Sequence, residues 1–365
     1  MYIENIEALK LEFISLQANN EIQGLLLFGC DLNRPENFEM EALLKINHKS
    51  LIGGFFPEII ADGERKKEGF VLIPLYESWE VLEFDAFQNN SNINEQLEKW
   101  LTTCSVKIGS VLCFVNALWS EKTNLMTTLY DALGPFVNYL GGGAGSLSFQ
   151  SFPCVFANQK IIEQGAVIGV MQKQLSLGVA HGWHPISQPI KVTETNGNTI
   201  VSLNWKPAFS VYRKLVQSHS KQQINEENFF EIAKSYPLGL VKLDDEMIIR
   251  DPYATINETL QIVDEVPEGE YIRIMHGNMN SLLEGAKNAV EQASINHEEE
   301  FTQLCIDCIS RVLFMQEDFS EELSYLNQKQ MANGILSIGE IANPINAPLE
   351  LFNKTIVVAQ WKKKY

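Results

Sequence analysis

One pattern recurs three times along this chain of 365 residues and limits its fold more than any other feature. Each copy reads strand, helix, strand ending in glycine, loop, strand. The first runs from "GLLLFG" (24–29) through "NFEMEALLKI" and "SLIGGFFPEI" to "GFVLIPL" (69–75). The second runs from "GSVLCFV" (109–115) through "EKTNLMTTLYDAL" and "NYLGGGAGSL" to "GAVIGVM" (165–171). The third runs from "LCIDCIS" (304–310) through "SEELSYLNQ" and "GILSIGEIAN" to "KTIVVAQW" (354–361). Short apolar, β-branched runs suit the interior of a sheet. Leu125, Leu129 and Leu133 fall four apart and give the second copy's helix one apolar face. Three uneven copies are too few for a solenoid. They predict an α/β fold of two related halves, with mixed β-sheets and packed helices.

A different stretch separates the second copy from the third. Asn196-Gly197, between "IKVTET" and "TIVSLN", is a strong hairpin signal. Pro207 then stands where a helix opens, with Ala208, Val211, Tyr212 and Leu215 at helical spacing. Asp244-Asp245 reads as a second hairpin turn. "SLLEGAKNAVEQASI" reads as a helix that buries Leu282, Ala286, Ala289 and Ala293. The expected divisions are an N-terminal helix over 1–19, a first half over 20–200 and a second half over 201–365.

The chain carries 46 acids against 28 bases, a formal net charge of −18. That balance repels a phosphate backbone and excludes nucleic acid as a partner. The basic run Lys362-Lys363-Lys364 reads as a solvated tail. "MYIENIEALKLEFISL" reads as an amphipathic helix, not a leader. Apolar runs such as "SVLCFVNALW" are too short to cross a bilayer. The expectation is a cytoplasmic protein with no membrane insertion. Six cysteines (Cys30, Cys104, Cys113, Cys154, Cys305 and Cys308) are then reduced, structural thiols. Cys305 and Cys308 form a Cys-x-x-Cys, but no second Cys or His pair stands at metal-ligand spacing, and no metal site is expected. No Gly-x-Ser-x-Gly and no paired carboxylates point to catalysis, so no catalytic residue is assigned. "GGGAGS" lacks the lysine of a phosphate-binding loop.

The series "SLIGGFFPEI", "YLGGGAGS" with "GAVIGVM", "HGWHPISQPIKVTETNGNTI", "KPAFSVYRKL", "YPLGLV", "MIIRDP", "VPEGEYIRI", "CISR" and "GILSIGEIAN" resembles the FIST-domain family, in order and over roughly residues 20 to 361. The resemblance implies an N-terminal and a C-terminal FIST half. It also implies a sensory role in signal transduction, with a small polar metabolite such as an amino acid as ligand. An output partner would be a separate protein, since no output domain is recognisable here. Some members resemble haem-binding nitric oxide sensors, which keeps haem as an alternative to no cofactor. A third reading is an enzyme acting on a small amino or keto acid. "GGFFPEI" departs from the family's polar motif at the first glycine site.

Glu340 follows Gly339 at the end of an apolar strand, and an ionised carboxylate there needs a partner. Arg311 in "CISR" and Arg250 in "IIRDP" are available. A guanidinium and a carboxylate in one pocket would grip a zwitterion. The expected ligand site is therefore Glu340, Gly339, Arg311, Cys308 and Arg250, with Gly142 and Gly143 of the second copy. Glu58 reads as the first copy's equivalent of Glu340. His181 and His184 in "HGWHP" are the candidates for a haem iron, with His276 weaker. His48, His219 and His297 read as surface residues.

Overall fold

The computed structural model describes residues 1–88, 92–242, 247–294, 300–344 and 347–362. The Asp244-Asp245 turn, His297 and Lys363-Lys364 lie outside the described residues. The fold is mixed α/β, with helices on mixed sheets, as the pattern predicts. Each copy of the repeat builds the centre of a six-stranded sheet. Its first two strands are parallel: Gly24–Cys30 with Ser50–Phe56, Ser110–Asn116 with Asn138–Ala144, and Phe301–Cys308 with Asn333–Ser337. Parallel neighbours need a crossover, and the helical stretch of each copy supplies it. The last strand of each copy returns antiparallel on the other side of the first. A flanking strand then completes that side: Tyr2–Ile3, Trp79–Asp85 or Ser176–Ala180.

The stretch expected as a loop is a hairpin in every copy, and it leaves its own sheet. The first copy's hairpin, from Glu58–Ala61 and Glu64–Lys66, pairs with Asn333–Ser337 of the third. The second copy's, from Val155–Ala157 and Lys160–Ile162, pairs with Ser50–Phe56 of the first. The third copy's, from Glu340–Ala342 and Glu350–Phe352, pairs with Asn138–Ala144 of the second. The three exchanges close a cycle. Two copies lie in the N-terminal half of the chain and one in the C-terminal half, so backbone hydrogen bonds tie the halves together.

Register fixes which residues are equivalent. Gly53, Gly141 and Gly334 each pair with a middle residue of the copy's first strand: Leu27, Cys113 and Cys305. These glycines sit inside their strands, not at the ends as the pattern suggested. One residue further along the first strands stand Phe28, Phe114 and Ile306, in one core cluster. Phe28 and Phe114 meet edge to face with ring centroids 5.3 Å apart, a favourable aromatic geometry.

The intervening region forms a nine-stranded sheet. The Asn196-Gly197 turn is present, with Ile190–Asn196 antiparallel to Thr199–Leu203 and Gly197 at φ 53°. Pro207 caps the helix Ala208–Ser220, one residue earlier than expected. The helix Met279–Gln292 starts at the Asn278 cap, and Leu282, Ala286, Ala289 and Ala293 are fully buried as expected. At the N-terminus the helix is Ile6–Gln17, capped by Asn5, and Tyr2–Ile3 before it are strand.

Candidate functional site

The site forms at the carboxyl ends of the third copy's parallel strands, where α/β sheets leave room for ligands. Cys308 ends the first of these strands and directly precedes the helix Ile309–Met315. Ser337 ends the second. Gly339 then takes φ 87°, a left-handed turn that glycine makes without a Cβ penalty. That backbone requirement explains the glycine. A Cβ there would meet the Phe352 carbonyl oxygen at 3.2 Å.

Glu340 follows the turn and is fully buried. Its Oε1 accepts from Ser337 Oγ at 2.8 Å and its Oε2 from the Thr355 N–H at 3.3 Å. Burial pushes this carboxyl well above its ordinary range, against the pull of Ser337, Thr355, Cys308 and the more distant Arg311. Its ladder position matches Ile59 and Val155 in the other copies. The repeat therefore does not need an acid there. Glu58 sits one residue out of register with it and binds Arg65, Nη2 to Oε1 at 2.8 Å.

The expected Glu340–Arg311 pair does not form. Arg311 stands on the helix Ile309–Met315, just past the strand that holds Asp307, and reaches Glu322 on the helix Phe319–Leu326 instead. Its Nη2 is 2.5 Å from Glu322 Oε2 and its Nε 3.1 Å from Asp307 Oδ1, all three side chains being fully buried. The remaining donors go to the carbonyls of His181 at 2.7 Å and Leu282 at 3.1 Å. Burial and then the neighbouring Glu322 push Asp307 well up, so two carboxyls share one guanidinium. Arg250 is likewise occupied, donating to Leu351 O at 2.8 Å and Glu265 O at 3.2 Å, beside a different cavity of about 330 Å³. Gly142 and Gly143 are closely packed inside the strand Asn138–Ala144. A Cβ on Gly142 would lie 2.9 Å from Ser337 Cβ, and one on Gly143 2.1 Å from Ile338 O.

Of the expected residues, Cys308 and Gly339 do line a cavity, of about 240 Å³. Its polar wall holds Asp251, Ser310 and Asn353, none singled out from sequence. Asp251 Oδ2 accepts from Ser310 Oγ at 2.8 Å and lies 3.1 Å from Lys354 Nζ. Asn353 Nδ2 donates to Asp264 Oδ2 at 2.6 Å. Asp264 also pairs with Lys122 at 2.8 Å. Burial opposes ionisation of Asp264, but Lys122 and Arg250 outweigh it and hold the carboxyl below its ordinary value. Asp251 Oδ1 and Asn353 Oδ1 are buried and have no hydrogen-bond partner among the described residues. The apolar wall includes Leu147, Phe149, Phe230 and Tyr253, each 41–49% exposed. Phe149 and Tyr253 stack, with centroids 6.3 Å apart and planes at 17°. Lys354, next to Asn353, is fully buried at φ 51°.

His181 and His184 line a separate groove of about 680 Å³. His181 Nδ1 accepts from the Trp183 N–H at 2.9 Å. Burial and then Arg311 lower this imidazole to about 4, so it is neutral with its proton on Nε2. That tautomer offers iron no lone pair at Nε2, and His184 is exposed on the strand His184–Pro185. Cys305 and Cys308 are both buried, and three residues apart on one strand they point to opposite faces. Burial, and for Cys308 then Glu340, pushes both thiols up.

The buried acid gives a pH prediction. Burial raises the folded-state pKa of Glu340 above the value of about 4.3 at which the unfolded chain releases this proton. The folded state therefore binds more protons above that pH, and stability falls as pH rises toward the folded value. Glu340→Gln is expected to make the slope of unfolding free energy against pH less negative, by up to about 1.4 kcal/mol per pH unit between about pH 5 and 7. Urea titrations of both proteins across that range measure it. An unchanged slope would mean that the carboxyl is ionised in the fold.

No helix among the described residues is long and apolar enough to cross a membrane. No curated protein sequence matches the chain. A FIST N domain model matches residues 24–206, and a FIST C domain model matches residues 208–343. With both halves matched across most of its length, the chain belongs to the FIST family, whose domains are sensory modules of signal transduction.

Proposed function

We propose that this chain senses a small molecule bound in the cavity beside Gly339 and reports the bound state to a separately encoded output protein. The observation that carries the reading is a cavity walled by both matched halves, with Asp251, Ser310 and Asn353 among its lining residues beside Cys308 and Gly339. At about 240 Å³ the cavity is smaller than the range that holds drug-sized ligands, which suits a small metabolite. Burial keeps the Cys308 thiol protonated and weakly nucleophilic, which favours binding over catalysis at this wall.

The route outward begins at the same wall. Cys308 and Ser310 stand at the start of the helix that carries Arg311. Arg311 in turn holds the His181 and Leu282 carbonyls. A ligand that shifts this helix turn would move that whole set.

A thermal-shift screen of small metabolites against the wild type and against Leu313→Trp, which fills the cavity, tests the site. A compound at about 100 times its Kd should stabilise the wild type by about 2.7 kcal/mol and leave the filled variant unmoved. Equal stabilisation of both proteins would place binding elsewhere and sink the proposal.

A further inference from the structure

We infer that the groove of about 680 Å³ beside His181 is a second binding site, independent of the cavity beside Gly339, and that it takes a small carboxylate with an apolar body. The guanidinium that would hold the carboxylate is already in place. Arg34, Arg65, Arg213 and Arg311 each pair with an acid. Arg273 lines the groove and pairs with no acid among the described residues, in a chain of 46 acids and 28 bases. Its Nη1 donates to the Ser187 carbonyl at 3.3 Å, and Ser187 Oγ accepts from the Ile274 N–H at 2.8 Å. These bonds anchor the guanidinium. Its Nη2 keeps accessible surface and has no partner among the described residues, so an incoming carboxylate can reach it.

His181 supplies a second donor. It is partly exposed on the groove wall, and the Trp183 N–H at its Nδ1 leaves the ring proton on Nε2. Arg311 holds the His181 carbonyl at 2.7 Å. Gly182, at φ 82°, seats the same segment on the helix Met279–Gln292, where a Cβ would lie 2.2 Å from Ser281 O. Donors fixed in advance lose little freedom when a ligand arrives. The rest of the wall suits an apolar body. Met275 is buried and Met247 partly buried in the groove, and thioethers fit irregular apolar shapes and favour aromatic rings. Glu284 stands exposed at the rim. Its charge makes a dianion costly there and favours a monoanionic carboxylate over a phosphate monoester. The volume lies within the range of small-molecule sites.

Three probes with an aromatic body separate the alternatives: 3-phenylpropionate, 2-phenylethanol and phenyl phosphate, titrated calorimetrically near neutral pH in low salt. The carboxylate is expected to bind at least about 10-fold more tightly than either of the others. Arg273→Gln should cut its binding by roughly 10- to 100-fold and leave the alcohol unchanged. Glu284→Gln, an exposed change that spares the fold, should tighten the carboxylate about two- to five-fold. Leu313→Trp, which fills the cavity beside Gly339, should leave all three titrations unchanged. If it abolishes carboxylate binding instead, the acid sits in that cavity, and the groove inference falls while the proposed function stands. No binding of the carboxylate, equal binding of the alcohol, or tighter binding of the phosphate overturns the inference. So does an Arg273→Gln protein of native circular dichroism that binds the carboxylate as well as the wild type. Should Arg273→Gln fail to fold, Glu284→Gln decides, and an unchanged affinity for the carboxylate overturns the inference.

Discussion

Alanine at Gly141 or Gly334 is expected to cost more than about 4 kcal/mol, the exceptional end of single-substitution effects and close to a domain's whole stability. An added Cβ would lie 1.7 Å from the carbonyl oxygen of Cys113 in one case and of Cys305 in the other. Gly53 repeats the geometry in the first copy, 1.8 Å from the Leu27 oxygen. The obstacle is backbone inside a parallel ladder, so it cannot swing aside as a side chain would. Each sheet also receives a hairpin from another copy, so displacing one strand loosens a neighbouring unit as well. Gly134→Ala is the control. It has open space around the missing Cβ and φ 79°, so only backbone strain of about 1–2 kcal/mol applies. Urea denaturation followed by circular dichroism compares the four variants. A Gly141→Ala protein within about 1 kcal/mol of wild type would refute the equivalence drawn from the strand register.

The second large effect is expected at Arg311. Arg311→Met should lose about 3–5 kcal/mol, because Glu322 and Asp307 remain buried with no cation between them. The His181 and Leu282 carbonyls also lose their donor. Adding Glu322→Gln to the same protein removes the stranded charge and should recover more than half of the loss. Arg311→Met with unchanged stability, or a double variant no better than the single, would show that the cluster is not the ion pair its distances describe. Glu340→Gln provides the contrast. Its hydrogen bonds come from Ser337 and Thr355 and no cation pairs with it among the described residues, so the amide should change stability far less than the loss of Arg311.

Apolar periodicity made the local pieces of this protein legible in the sequence. The recurrent strand, helix and strand, the Asn196-Gly197 hairpin, and the helix that buries Leu282, Ala286, Ala289 and Ala293 follow from side-chain spacing and turn chemistry. The sequence also marked Glu340 as anomalous and placed Cys308 and Gly339 near a pocket. It could not assign partners, because partners are set by register and by which sheet each hairpin joins. Glu340 and Arg311 looked like a pair from their residue types. The packing of the helix Ile309–Met315 against Phe319–Leu326 carries Arg311 to Glu322, while the hairpin carries Glu340 to Ser337 and Thr355. Asp251, Asn353 and Lys354 looked like ordinary loop residues. Only the close approach of three distant segments buries them around one cavity and leaves two acceptors unpaired. Local spacing acts over a few residues and survives in the sequence. Long-range pairing depends on strands that meet across the molecule, and only the tertiary structure decides it.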